Sequence, residues 1–297
     1  MRLNIKDNKR LWYLVFAVCL TVLLIYIKFP SEALINYIRV EAEKRYTDIN
    51  IDFDKADLTI PAGIKIQGLR ISLKEDPDTP VYVSEKSSVR VSVTGWLTGG
   101  PKYYFASTVN GGTISGFLEE KKEGEKERIE ASIDIEDVKL DENIFIHPVI
   151  SQRIEGTLTC SIKFIGDIPD FLRGNVEVSL DLVDGRFYFK KPFLDMDTME
   201  FKKISMSGIL DNRKLDIKDL SMTGQHMNGN ATGTVQISNN FPDSRLNIKT
   251  EIEPLPSLYR QMPRVGKLIN ALKNKKNEGK LQYNIQGTID SPIPIPI

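Results

Sequence analysis

Residues 176–189 read VEVSLDLVDGRFYF. Val176, Val178, Leu180 and Leu182 alternate with polar residues, which is the period of a strand with one apolar and one wet face. Asp184-Gly185 reads as a two-residue turn, with Phe187 and Phe189 returning on a second strand as a hairpin requires. The same period extends in both directions. Upstream it runs through Ile49, Ile51 and Phe53, then Val89, Val91, Val93 and Leu97, then Ile129, Ala131, Ile133 and Ile135. Ile154, Leu158, Cys160, Ile162 and Phe164 bring it up to the quoted stretch. Downstream come Ile204-Met206, Leu215-Ile217, Val235-Ile237, Leu246-Ile248 and Leu281-Tyr283-Ile285. Ile64 and Ile66 precede Gly68, after which Leu69, Ile71 and Leu73 resume on the other phase, the pattern of a bulge. Asn228-Gly229 is a second turn signal. Strands recurring this often predict a mainly β, antiparallel architecture.

Alternation puts one face of each strand in an apolar environment. A sandwich or closed barrel would hide all such faces, whereas a curved open sheet would leave an apolar groove. The periodicity is compatible with both. The groove reading names Leu158, Ile162, Phe164, Val176, Val178, Leu180, Phe187 and Phe189 as its lining.

Ahead of the β-region, residues 11–27 read LWYLVFAVCLTVLLIYI, 17 residues without a charge, Gly or Pro. As a helix they extend about 25 Å, near the short end for a membrane span. Trp12, Phe16, Leu20 and Leu24 lie along it, and Lys28 closes it at the interface, giving a transmembrane helix over 11–28. Arg2, Lys6, Lys9 and Arg10 outweigh Asp7 in the tail 1–10. The positive-inside rule therefore places this tail in the cytoplasm and everything after Lys28 outside. No small-x-small cleavage site follows, so the segment is expected to stay as an anchor rather than be removed as a signal peptide.

Two further helices are expected. Residues 30–47 open on Pro30 and a Ser31 N-cap, and place Leu34, Ile35, Ile38 and Ala42 at helical spacing. Residues 255–275 carry Leu258, Met262, Val265, Leu268, Ile269 and Leu272 on one face, with Arg260, Arg264, Lys267, Lys273 and Lys275 elsewhere. Such a helix can bind an anionic membrane surface, but the expected role is to pack on the sheet and expose its lysines. The β-domain thus covers 48–297, with a final strand at 279–290. The tail SPIPIPI (291–297) lacks an N–H at alternate residues and reads as an extended end or an edge strand. The charge run EEKKEGEKER (119–128) reads as a solvated hairpin loop.

Of the 297 residues, Lys+Arg and Asp+Glu number 40 each, a balance that argues against nucleic acid as partner. The two cysteines, Cys19 in the apolar segment and Cys160 in a strand, sit in different solvents and form no disulfide framework. No His/Cys cluster has metal spacing, and neither a phosphate loop nor a nucleophile elbow occurs. His147 precedes Pro148 in a loop and His226 lies near Asn228. No cofactor, metal or catalytic constellation is predicted, and the chain does not read as an enzyme.

Gly-Thr followed by an aliphatic residue occurs at Gly112-Thr113-Ile114, Gly156-Thr157-Leu158, Gly233-Thr234-Val235 and Gly287-Thr288-Ile289, a faint internal echo. With LTIPAGIKIQGLRISL (58–73), LDIKDLSMTGQHMNGNATGTVQIS (215–238) and LQYNIQGTIDSPIPIP (281–296), these segments resemble AsmA-like proteins. The length and the single anchor resemble, within them, the type II secretion system protein N group. The resemblance covers nearly the whole chain but rests on diffuse Gly and aliphatic patterns. It implies an elongated, curved sheet with an apolar groove, in a single-pass inner-membrane protein whose bulk is periplasmic. The function it implies is an accessory role in type II secretion through contacts with other secretion subunits. The alternative is a lipid-binding or lipid-transfer module that takes phospholipid in the groove. The group has no defined catalytic residues to carry over.

Overall fold

The structure is a computed structural model. It describes residues 48–59, 62–92, 100–123, 126–140, 153–166, 171–193, 196–261 and 280–297, with positions 12–13, 16–17, 20, 36–37, 40–41, 44 and 266; side chains at 122–127, 171, 189–196 and 261 are outside it.

The strands are β1 (Ile49–Asp52), β2 (Lys55–Thr59), β3 (Gly63–Leu73), β4 (Asp76–Val91), β5 (Lys102–Val109), β6 (Gly112–Glu123), β7 (Lys126–Leu140), β8 (Ile154–Gly166), β9 (Asn175–Phe193), β10 (Met196–Asp211), β11 (Lys214–Gly224), β12 (Met227–Gln236), β13 (Arg245–Pro254), β14 (Leu281–Thr288) and β15 (Pro292–Pro296). All fifteen belong to one antiparallel sheet. Its order follows the chain, from β1 and β2, which share β3, through to β15, and the sheet is unclosed. The predicted mainly β, antiparallel class is therefore observed. Every extensive contact between described elements is between neighbouring strands, so no second layer of described strands lies over either face.

Three local expectations are corrected. Asp184-Gly185 does not turn the chain, because β9 runs straight through it. On the β10 side the pairing continues unbroken, with Val183 opposite Lys203, Gly185 opposite Phe201 and Phe187 opposite Met199. On the β8 side Thr157 faces Val183 but Glu155 faces Arg186, so β9 carries one extra residue. Asp184, at φ 50°, absorbs it as a bulge. Asn228-Gly229 likewise lies inside β12, opposite Glu253 and Ile252, and the turn is at Gln225-His226. Gly68 inserts no extra residue, since Gln67 pairs with Lys86 and Leu69 with Ser84 in one register. Its φ of 63° changes the phase instead, and a Cβ there would lie 1.9 Å from Asp54 Oδ2. Opposite it the edge breaks into β1 and β2, tied by the Asp54 N–H to the Gln67 carbonyl at 3.0 Å.

The charge run does form a hairpin, with Glu123 opposite Lys126. The expected final strand is β14, and the Pro-Ile tail adds a further one. β15 forms despite its prolines because of which way they face. Ile297 donates its N–H inward to the Gln282 carbonyl at 3.1 Å, so the odd-numbered residues bond β14. Pro292, Pro294 and Pro296 then turn their nitrogens outward, where the missing N–H breaks no ladder bond. The outer edge offers carbonyls and no donors, which closes it to another strand. Replacing all three prolines with valine restores three outward donors while keeping β-branched apolar side chains. The variant is expected to associate with increasing concentration in light scattering while the parent does not; a variant as dispersed as the parent overturns this account of the edge.

Of the expected anchor, Trp12, Phe16 and Leu20 are helical and exposed, while Leu24 and Lys28 lie outside the described residues. Among the described residues no helix is long and apolar enough to cross a membrane. The 30–47 segment is helical at Asn36, Tyr37, Val40, Glu41 and Lys44. Of the 255–275 helix, Pro256–Gln261 is described as α-helix and most of the rest lies outside the described residues.

Candidate functional site: a continuous apolar face

Opposed residues in an antiparallel pair point to the same side, so the register assigns every side chain a face. One row can be followed across the sheet from β3: Ile64, Val89, Phe105, Gly116, Ile133, Ile162, Val178, Gly208, Ile217, Gly233, Ile248 and Ile285, ending against Pro294. It contains no polar side chain. At about 4.8 Å per strand its length is on the order of 50 Å. Two parallel rows thicken it: Ala131, Phe164, Val176, Leu210, Leu215, Val235 and Leu246 on one side, and Cys160, Leu180, Met206, Leu220 and Ala231 on the other. The opposite face along the central row reads Ser88, Ala106, Ser115, Asp134, Ser161, Ser179 and Ser207.

The sequence-predicted lining residues come together on the apolar face. Ile162 opposes Val178, Phe164 opposes Val176, Leu180 opposes Cys160, Leu158 opposes Leu182 and Phe187 opposes Ile154. The side chain of Phe189 lies outside the described residues. Leu158, Ile162, Val176, Val178 and Leu180 are all half-buried. Leu182 and Phe201 anchor one packed patch with Leu140, Ile154, Leu158 and Phe187 around it. At the far end the helix Pro256–Gln261 drops Leu258, fully buried, onto Met227 and Leu281, with Met199, Met222 and Ile252 against them.

Sequence reasoning missed how far this face extends, because parity on β10–β14 depends on bulges that only the register reveals. Asp137 at φ 53° shifts β7 against β8 between Ile135 and Val138, and β11 shifts against β12 between Ile217 and Leu220. It also missed a polar island on β4 and β5. There Tyr82 Oη lies 2.7 Å from Ser107 Oγ, and Ser84, Ser87 and Ser107 close a ring of hydroxyl contacts at 2.7–2.9 Å. Those hydroxyls satisfy one another, which allows Ser84 to be almost fully buried. No sequence signal marks the island.

Charges occupy the wet face and rims. Arg70 bridges Asp52 and Asp54 at 3.1 and 2.6 Å, and Lys280 and Gln282 hold Glu251 at 2.7 and 2.9 Å. At the β9 bulge the Arg153 guanidinium, 2.5 Å from Glu155, and the Tyr188 hydroxyl at 3.0 Å hold that carboxyl below its usual range. Arg186 pairs with Glu200 at 2.5 Å beside it. A hollow of about 550 Å³ opens there, lined by Glu155, Asp184, Arg186, Glu200, Phe201 and Lys202. Cys160, buried on the apolar face, has its thiol pushed up by desolvation, and Asp134 adds to the effect. Among the described residues no three metal-ligating side chains converge, and His147 lies outside them. Among the described residues the most extensive feature is this apolar area.

Comparison with family models, curated proteins and solved structures finds no match to this chain.

Proposed function

We propose that this chain is a lipid-binding module that holds phospholipid acyl chains on the apolar face of its sheet, and that residues 11–28 anchor it to the inner membrane with the sheet in the periplasm. The observation that carries this reading is the row from Ile64 to Ile285, free of polar side chains on a sheet without a second described layer of strands. Acyl chains suit such a surface better than a peptide does. Along this row, from Ile64 to Ile285, every residue is paired with a neighbouring strand on both sides, so a peptide lying there would bury amides without partners. An acyl chain has none to satisfy, and burying it is worth about 0.8 kcal/mol per methylene. In this reading the chain binds and positions lipid and performs no bond chemistry.

A second reading, an accessory of type II secretion acting through protein contacts, draws on the sequence resemblance and on one surface. Ile293 and Ile295 on β15 and Ile297 just after it stand 58%, 44% and 57% exposed. Ile293 and Ile295 oppose Gln286 and Asn284, on the wet face. Apolar side chains grouped on a polar face mark a contact surface.

The test is mass spectrometry of lipid bound to the full chain, extracted from carbonate-washed membranes. The control is residues 1–30 fused to an unrelated soluble domain, which reports the annular lipid of the anchor alone. The full chain is expected to stay in the washed membrane and to carry at least one phospholipid more than the control. Equal lipid on both removes the lipid reading.

A further inference from the structure

Three of the large side chains on the apolar face lie over neighbouring glycines. Phe105 lies against Gly116, where an added Cβ would come within 2.7 Å of its ring. Phe201 lies against Gly185, with 2.4 Å between such a Cβ and the ring. Phe164 sits in a notch made by two glycines, where a Cβ added at Gly166 or Gly174 would fall 2.7 or 2.3 Å from its ring. Phe164 and Phe201 are only 6% and 3% exposed, although aliphatic neighbours such as Ile162 and Val178 are half-buried. A phenyl ring reaches further from its own backbone than any aliphatic side chain in the row. Laid flat over a neighbouring glycine, it adds little height, because the glycine has no side chain to lift it.

We infer that these glycine seats set the clearance of the apolar face for acyl chains, which makes Gly174, Gly166, Gly185 and Gly116 specificity-determining positions. The inference rests on the lipid reading and deepens it. A ring displaced from its seat turns into the space above the sheet, where it occupies about the cross-section of one acyl chain. The seats therefore govern how many chains pass side by side at β5–β6 and at β8–β10, and they favour lipids with more than one chain over single-chain lipids.

Gly174 gives the cleanest test. Its added Cβ would meet the Phe164 ring at Cε2 and Cζ, and the nearest backbone atom, the Ile165 carbonyl oxygen, is 3.2 Å away. The ring end can swing aside, so Gly174→Ala displaces Phe164 without breaking the ladder. The full chain in detergent is titrated with a two-chain phospholipid bearing a pyrene-labelled acyl chain, and with a single-chain lysophospholipid carrying the same label. Gly174→Ala is expected to weaken the two-chain probe three- to tenfold and the single-chain probe less than twofold. Phe164→Leu in the Gly174→Ala background is expected to restore wild-type binding of both. Phe164→Trp, which overfills the same notch, is a second route to the loss should Gly174→Ala fail to fold. If wild type binds the two-chain probe and Gly174→Ala binds it equally well, or if the double variant binds no better than the single one, the seats are overturned while the lipid reading stands. A wild type that binds neither probe overturns the lipid reading and the seats with it.

Discussion

Ile162→Asp is expected to strip the co-purifying phospholipid, by more than tenfold per protein, and to leave the sheet folded. Ile162 lies in the middle of the unbroken row, between Ile133 and Val178. In the lipid reading an aspartate there puts a carboxylate against acyl chains, and an unpaired charge in a dry contact costs several kcal/mol. Each 1.4 kcal/mol is a factor of about ten in affinity. The fold survives because Ile162 is half-buried, so the carboxylate can reach water once the lipid has left. Ser161→Asp, one residue away on the wet face beside Asp134, is the control and should leave bound lipid unchanged. The measurements are lipid per protein by mass spectrometry and the far-ultraviolet dichroism of each variant. An unfolded Ile162→Asp protein would mean that the face is a packed interior, and unchanged lipid would mean that the lipid sits elsewhere.

Gly233→Val is expected to produce a large loss of stability. Gly233 takes a φ of 149°, and its Cβ would fall 2.2 Å from the Asn247 carbonyl oxygen and 2.7 Å from the Ile248 Cα. Both obstacles are backbone, so neither can move without opening β12 from β13. Overpacking and a disfavoured backbone conformation together amount to roughly 3 kcal/mol or more. For a domain of this size that is a fall in Tm of roughly 6–12 °C. Gly229→Ala, on the same strand, meets nothing closer than 3.8 Å and should shift Tm by no more than a degree or two either way. Thermal melts of the two variants side by side decide the matter. Equal melting temperatures would remove the claim that Gly233 is held by close approach.

The Gly-Thr echo acquires a physical meaning from this position. Of its four glycines, Gly156, Gly233 and Gly287 have positive φ, and none of the four has clear room for a Cβ. In sequence they are a common dipeptide in β-proteins. In the sheet each lies close against a neighbouring backbone.

The strands were legible because alternation is a local property. Ile129 to Ile135 and Ile154 to Phe164 need no partner to announce a face, and the predicted lining residues accordingly fall on one side. What the pattern could not show was whether the chain turns. Asp-Gly supplies positive φ equally well to a hairpin turn and to a bulge. At Asp184 the outcome depends on β10, whose pairing with β9 runs from Met196 to Asp211 and leaves no room for a reversal. The glycine seats were illegible for the same reason, since Gly174 lies ten residues from Phe164, and Gly185 sixteen from Phe201, with nothing local to join them. The rings find them only through register.

The strand order has a consequence for how such a chain could change in length. From β3 onward each strand pairs with the one before and the one after it in sequence. Its long-range pairing is therefore a succession of short-range ones, and the sheet can assemble as a zipper, each hairpin templating the next. A duplicated hairpin inserted anywhere along this series keeps the parity of every later strand, so it lengthens the apolar row by two strand widths without reversing a face. Loss of a hairpin shortens it by the same step. Because prolines block the outer edge of β15, an enlarged sheet grows from within, between existing hairpins, rather than by adding strands beyond that edge.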